Sequence, residues 1–120
     1  MEIVRGSSGP SEQRTATVSG EAWFDPVLPA TDGTVITTVF FAPGARTYWH
    51  RHENGQILQV LAGRGLICTH GEPPRAITAG DTVWVPPGER HWHGAAPDSF
   101  MTHTAISLGA TRWESEVEDD

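Results

Sequence analysis

The run GARTYWHRHENGQ, Gly44 to Gln56, sets His50 and His52 two residues apart and places a carboxamide four residues further on. On an extended strand alternate residues share a face, so the two imidazoles can converge on one point. Gln56 has the same parity, although Asn54-Gly55 marks a turn that interrupts strict alternation. A second run, GDTVWVPPGERHWH from Gly80 to His93, repeats the His-x-His device with His91 and His93. Neutral imidazole is the commonest metal ligand, and several converging from separate strands favour a first-row metal ion. His103 follows on a later alternating segment, whereas His70, beside the Gly71 turn, is expected to be exposed.

The chain around these runs reads as strands separated by Gly and Pro. Thr34 to Phe41 (TVITTVFF) is almost entirely β-branched and aromatic, and Pro43-Gly44 ends it just before the first run. Thr15 to Val18 is a short strand candidate. Pro26 and Pro29 bar a helix from the segment Glu21 to Pro29. Ile57 to Leu61 and Leu66 to Thr69 are expected to form a hairpin closed by Ala62-Gly63-Arg64-Gly65. Arg75 to Thr78, Thr82 to Val85 and Met101 to Leu108 complete the strands, and Arg112 to Val117 is the one stretch compatible with a helical turn. Many short strands at even spacing imply a closed or double-sheet all-β architecture, and a small barrel of this kind can hold one small ligand.

The 120 residues suffice for one domain with its own core. Residues 1–14 read as a loose arm, 15–112 as the barrel and 113–120 as an acidic tail. The formal charge is −7, and five of the fifteen acids lie between Glu114 and Asp120. That balance argues against nucleic-acid binding. All eight basic residues are Arg, which excludes Schiff-base chemistry through a lysine. The single Cys68, in an apolar run, is expected to pack as a small hydrophobe. With neither a signal-peptide core nor a membrane span in the sequence, the expected setting is cytoplasmic, with no membrane partner.

The two histidine runs resemble the two motifs of the cupin superfamily. The first motif is Gly, five residues, His-x-His, three or four residues, Glu, six residues, Gly; here it reads Gly44, His50-x-His52, Gln56, Gly63 at those spacings. The second is Gly, five residues, Pro-x-Gly, two residues, His, three residues, Asn; here it reads Gly80, Pro86-x-Gly88, His91, with Ala95 in place of Asn. The resemblance implies a cupin double-stranded β-helix, a jelly-roll barrel of one domain, with His50, His52, Gln56 and His91 as metal ligands. Gln56 departs from the usual Glu: its carbonyl oxygen can ligate but brings no charge. PGARTYWHRHENGQ, GDTVWVPPGERHWHGAAP and MTHTAI are also similar to small bacterial single-domain cupins. These include manganese-dependent cupin hydroxynitrile lyases and cupins associated with carboxymuconolactone decarboxylases. That likeness implies one divalent ion, manganese ahead of iron, nickel or zinc, and gives His103 the role of a base near it.

Three neutral imidazoles and a neutral amide leave a divalent ion its full charge, which favours Lewis-acid chemistry over stabilisation of a higher oxidation state. The leading expectation is a lyase-type reaction on a small hydroxyl or carbonyl substrate, of the kind hydroxynitrile lyases perform. A cupin dioxygenase using O2 and a non-catalytic cupin that binds a metal or metabolite are the alternatives. His93 shares the parity of His91 and is either a second acid/base group or a packed histidine. Tyr48, Thr38, Phe40, Trp92 and Trp23 are candidate pocket walls. Ile57 and Leu61 should lie on an outer face needing cover, and sheet-to-sheet pairing is usual in the family, so a homodimer is expected.

Overall fold

The computed structural model describes residues 1–118, and every regular element among them is a strand. In chain order these are β1 (Glu12–Gln13), β2 (Val18–Ser19), β3 (Ala22–Thr31), β4 (Thr34–Phe41), β5 (Arg46–Thr47), β6 (His50–His52), β7 (Gln56–Thr69), β8 (Arg75–Thr78), β9 (Thr82–Val85), β10 (His91–Ala95), β11 (Met101–Leu108) and β12 (Thr111–Trp113). Neither the segment from Arg112 to Val117 nor any other described stretch forms a helix, and no helix is long and apolar enough to cross a membrane. The acidic end expected from residue 113 onward runs over Asp119 and Asp120, which lie outside the described residues.

All pairings are antiparallel and curl into the two faces of a small barrel. One face runs β1-β3-β4-β11-β7-β9, and the other joins β2, β5, β10, β7 and β8, with β6 and β12 continuing from β10. β7 belongs to both. Its first half pairs with β11 and β9, and its second half with β10 and β8.

This corrects the expected hairpin at Ala62–Gly65. The chain does not turn back there but continues as one 14-residue strand that bends from one face to the other. The two glycines permit close approach rather than reversal. A Cβ on Gly63 would sit 2.0 Å from the Phe100 carbonyl oxygen, and one on Gly65 would strike Met101 Sδ and the Gly94 carbonyl. Gly63 also has φ of +77°, in the left-handed region where a side chain is strained.

The inward parity on the first half of β7 is as expected, with Gln56, Leu58 and Val60 buried; of the two residues expected on the outer face, Leu61 is exposed and Ile57 is half-buried. β4 and β11 stack their inward residues in register. Phe41 faces Met101, Val39 faces His103, Thr37 faces Ala105 and Val35 faces Ser107. The floor of the barrel is therefore dry, with Phe41, Met101 and Leu58 fully buried, and polarity rises toward the mouth. Serines 7 and 11 donate to the Asp25 carboxylate at 2.6 and 3.0 Å, which lays residues 7–13 along β3. Cys68 is buried, its Sγ directed at the Glu72 carbonyl.

Candidate metal centre

β6 and β10 lie side by side, and His50 is the cross-strand partner of His91. That pairing brings the two runs together, with the His50 and His91 rings 4.2 Å apart and His50 and His52 5.0 Å apart. A tight turn then leads from β6 into β7. Gly55 there has φ of +100°, and its Cα lies so close to the Trp84 ring and the Val85 carbonyl that a Cβ would collide with both. The turn brings Gln56 to the same cluster, with its Oε1 3.1 Å from His91 Nε2. His50, His52, Gln56, His91, His93 and His103 are each at most 4% exposed.

Burial removes water from these rings and disfavours the imidazolium form. It holds His50 and His93 well below the ordinary imidazole value and brings His52, His91 and His103 down to about 4; neighbouring imidazoles add repulsion at His50, His52 and His93. All five rings are therefore neutral at pH 7. Their tautomers follow from their partners. His50 Nδ1 is 2.8 Å from the Tyr48 carbonyl and His91 Nδ1 is 3.1 Å from the Glu89 carbonyl. A carbonyl can only accept, so both Nδ1 atoms carry the proton and both Nε2 atoms keep a lone pair. His52 Nδ1 lies 3.0 Å from the Thr111 hydroxyl, and its Nε2 has no hydrogen-bond partner.

The donor set fits a cation. Gln56 Nε2 donates to Ser107 Oγ at 3.1 Å, so its Oε1 turns toward His91. An amide oxygen and a bare imidazole nitrogen then face each other through lone pairs, an arrangement a shared cation relieves. The nitrogens of His50, His91 and His93 also lie within 4.8 Å of one another, so His93 competes with His52 for a place at the ion. Their other nitrogens distinguish the two. His93 Nδ1 bonds His103 Nε2 at 3.1 Å, whereas Thr111 occupies His52 Nδ1 as the carbonyls occupy the Nδ1 atoms of His50 and His91.

A cavity of about 150 Å3 opens beside this cluster, with His50, His52, Gln56 and His93 in its wall. The remaining wall comes from Phe24, Val35, Thr37, Val39, Ala105 and Ser107, with Arg14, Thr111 and Trp113 completing the lining. No carboxylate lines it among the described residues. His103 does not border the cavity; it lies behind His93, fully buried and 5.3 Å from the Phe41 ring.

The candidate wall residues do not line this cavity. Thr38 and Phe40 have the outward parity of β4, and Phe40 is 38% exposed. Trp23, the cross-strand partner of Phe40, also points out, and its neighbour Phe24 takes the inner place. Trp92 is buried on the side of β10 away from His91 and His93, under the Arg46 guanidinium. Tyr48 contributes its carbonyl, with its side chain near Glu116. On β3 and β4 the inward face is the one a residue out of step with the expected walls, because a run such as TVITTVFF has no polar alternation to show which side faces in. Arg14, Ser107, Thr111 and Trp113 also line the site, and no sequence motif marks them. His70 is exposed and touches Trp49 rather than the cluster.

Comparison with known proteins agrees with this geometry. The family described as Cupin domain matches residues 37–104. The chain is 43% identical to an (R)-mandelonitrile lyase of Granulicella tundricola over all of this chain and 97% of the relative. A cupin-like protein of Thermotoga maritima superimposes with a TM-score of 0.85 at 35% identity, covering 99% of this chain and 92% of that one. A predicted oxalate decarboxylase of the same organism shares the fold at a TM-score of 0.78 and 22% identity, covering 91% of this chain and all of that one. With matching motifs, barrel and relatives along its whole length, the chain belongs to the cupin family.

Proposed function

We propose that this cupin is a divalent-metal-dependent lyase that cleaves or forms a C–C bond at a cyanohydrin-like carbon. The observation that carries the reading is a site built wholly of neutral donors beside a cavity that no carboxylate lines among the described residues. The full-length likeness to a mandelonitrile lyase supports the reaction class. His50, His52, Gln56 and His91 would hold the ion, manganese in this reading, with iron, nickel or zinc as alternatives. When bound, the ion supplies a Lewis acid for a hydroxyl or carbonyl oxygen.

His93 is the base in this reading. It lines the cavity, and its Nε2 has no partner there. A proton donated from His93 Nδ1 to His103 Nε2 leaves the His93 Nε2 lone pair free to take the substrate hydroxyl proton. The bond from the carbinol carbon to the nitrile then breaks, its electron pair leaves with cyanide, and His93 returns the proton to give the aldehyde and hydrogen cyanide. This moves the base assignment from His103, which the cavity does not reach, to the ring it supports. Val35, Val39, Phe24 and Ala105 keep the opposite wall apolar and suited to a hydrocarbon substituent. Self-association through the outer face of the β3-β4-β11-β7 sheet completes the proposal.

The test is cleavage of (R)-mandelonitrile, followed by benzaldehyde release, on protein whose metal content has been measured. Turnover that disappears with a chelator and returns with Mn2+, without O2 uptake, is expected. Oxygen consumption coupled to substrate loss would instead establish dioxygenase chemistry. Stoichiometric metal without turnover of any cyanohydrin would leave a binding protein.

A further inference from the structure

We infer that the C-terminal segment Thr111–Ser115 is a clasp that holds the imidazoles of both histidine runs in their metal-ready orientation, with Thr111 and Glu114 as positioning residues. The inference rests on the metal-site reading above. β12 pairs with β6 along its length, setting Thr111 opposite His52, Arg112 opposite Arg51 and Trp113 opposite His50. Two further backbone bonds extend the pairing, from Glu114 N to the Trp49 carbonyl at 2.8 Å and from Trp49 N to the Ser115 carbonyl at 3.0 Å. The short ligand strand is thereby held between β10 and β12 rather than left as an edge.

The two faces of the clasp do different things. On the cavity side, the Thr111 hydroxyl lies 3.0 Å from His52 Nδ1, where accepting the ring proton would leave Nε2 bare, and the Trp113 ring lies 4.4 Å from the His50 ring at a tilt of 32°. A ring so covered on one side and hydrogen-bonded at Nδ1 has little freedom to turn. On the opposite side, one carboxylate joins the two runs. Glu114 Oε2 accepts from Arg51 Nε at 2.8 Å, and its Oε1 accepts from Arg90 Nε. Arg51 sits between His50 and His52, and Arg90 immediately precedes His91. Arg51 also reaches the Gly88 carbonyl at 3.4 Å, and Arg90 lies over the Trp49 ring at 4.7 Å. The Glu114 side chain is only 18% exposed, so this bridge is partly shielded from solvent and salt. Partners behind metal ligands fix tautomer and ring orientation, and their loss commonly weakens metal binding about 10–100-fold.

The experiment compares wild type with Thr111→Val, Thr111→Ser, Glu114→Gln and the control Glu118→Gln, all as full-length chains. Two quantities are read: the histidine tautomers of the metal-free protein by imidazole 15N NMR, and Mn2+ affinity by electron paramagnetic resonance titration. Thr111→Val should give His52 a mixture of tautomers and weaken Mn2+ binding about 10–100-fold, with Thr111→Ser restoring both. Glu114→Gln should weaken Mn2+ about tenfold or more, with Glu118→Gln unchanged. Wild-type tautomers and affinity in both Thr111→Val and Glu114→Gln would overturn the clasp. If wild type itself takes up no Mn2+ or other divalent ion, the metal reading fails, while the tautomer measurement still decides the clasp.

Discussion

At the scale of single residues, the contest between His52 and His93 is the sharpest test of the proposed site. Both are buried and both have an unpartnered Nε2, but the two differ in what holds Nδ1. His52→Ala, like His50→Ala or His91→Ala, should abolish stoichiometric metal. His93→Ala should keep it while turnover falls roughly a hundredfold or more, as expected for loss of a positioned base. Elemental analysis and turnover on the same preparations check this, and loss of metal from His93→Ala would make His93 a ligand. Gln56→Glu provides a second test. An anionic oxygen at the same reach should tighten metal binding, lower the Lewis acidity and slow the lyase reaction. Unchanged affinity and turnover together would remove Gln56 from the ligand set.

At the scale of elements, β7 is the member both faces depend on. Its bend brings the chain at Gly63 against the Phe100 carbonyl with φ of +77°, so Gly63→Ala introduces both a clash and a left-handed side chain. The expected loss is roughly 2–3 kcal/mol, read as a lower urea midpoint with an unchanged slope. The same change at Gly71, where φ is +90° but nothing lies within 4 Å, should cost less, since only the backbone term acts.

At the scale of the whole molecule, the outer face leaves Trp23 and Phe40 each 38% exposed, Phe100 42%, Leu61 55% and Trp84 53%. Phe40 and Phe100 stack at 6.0 Å, forming a continuous apolar surface that a second copy would cover. Light scattering at micromolar concentration should report a dimer, and Phe40→Arg should shift it toward monomer with metal content unchanged. Acid should destabilise the metal-free fold. His52, His91 and His103 fall from the ordinary 6.5 to about 4 on folding, so the unfolded chain binds more protons between those values. Stability from these rings is complete above about pH 6.5 and is lost as pH falls toward 4. The melting temperature of chelated protein should follow that course, whereas a flat profile would show the rings to be solvated.

Local chemistry made much of this protein legible in advance. The spacing of His50, His52, Gln56 and His91 marked the cupin motifs, and the shared parity of Gln56 with the histidines identified the buried side of the first half of β7, because alternate residues of a strand share a face. Such local signals cannot say which strands become neighbours. Whether Gly63 turned the chain or let it pass close to another strand depended on Phe100, far along the sequence. On β4, where both faces are apolar, only pairing with β11 decided that Thr37 and Val39 look into the cavity while Thr38 and Phe40 look out. Packing did the same for His103: opposite Val39 and one step from the Phe41–Met101 pair, it lies behind His93 and against the Phe41 ring, off the cavity. Thr111, Trp113 and Glu114 carry no motif; antiparallel pairing with β6 gives them their positions, a long-range contact that no local pattern encodes.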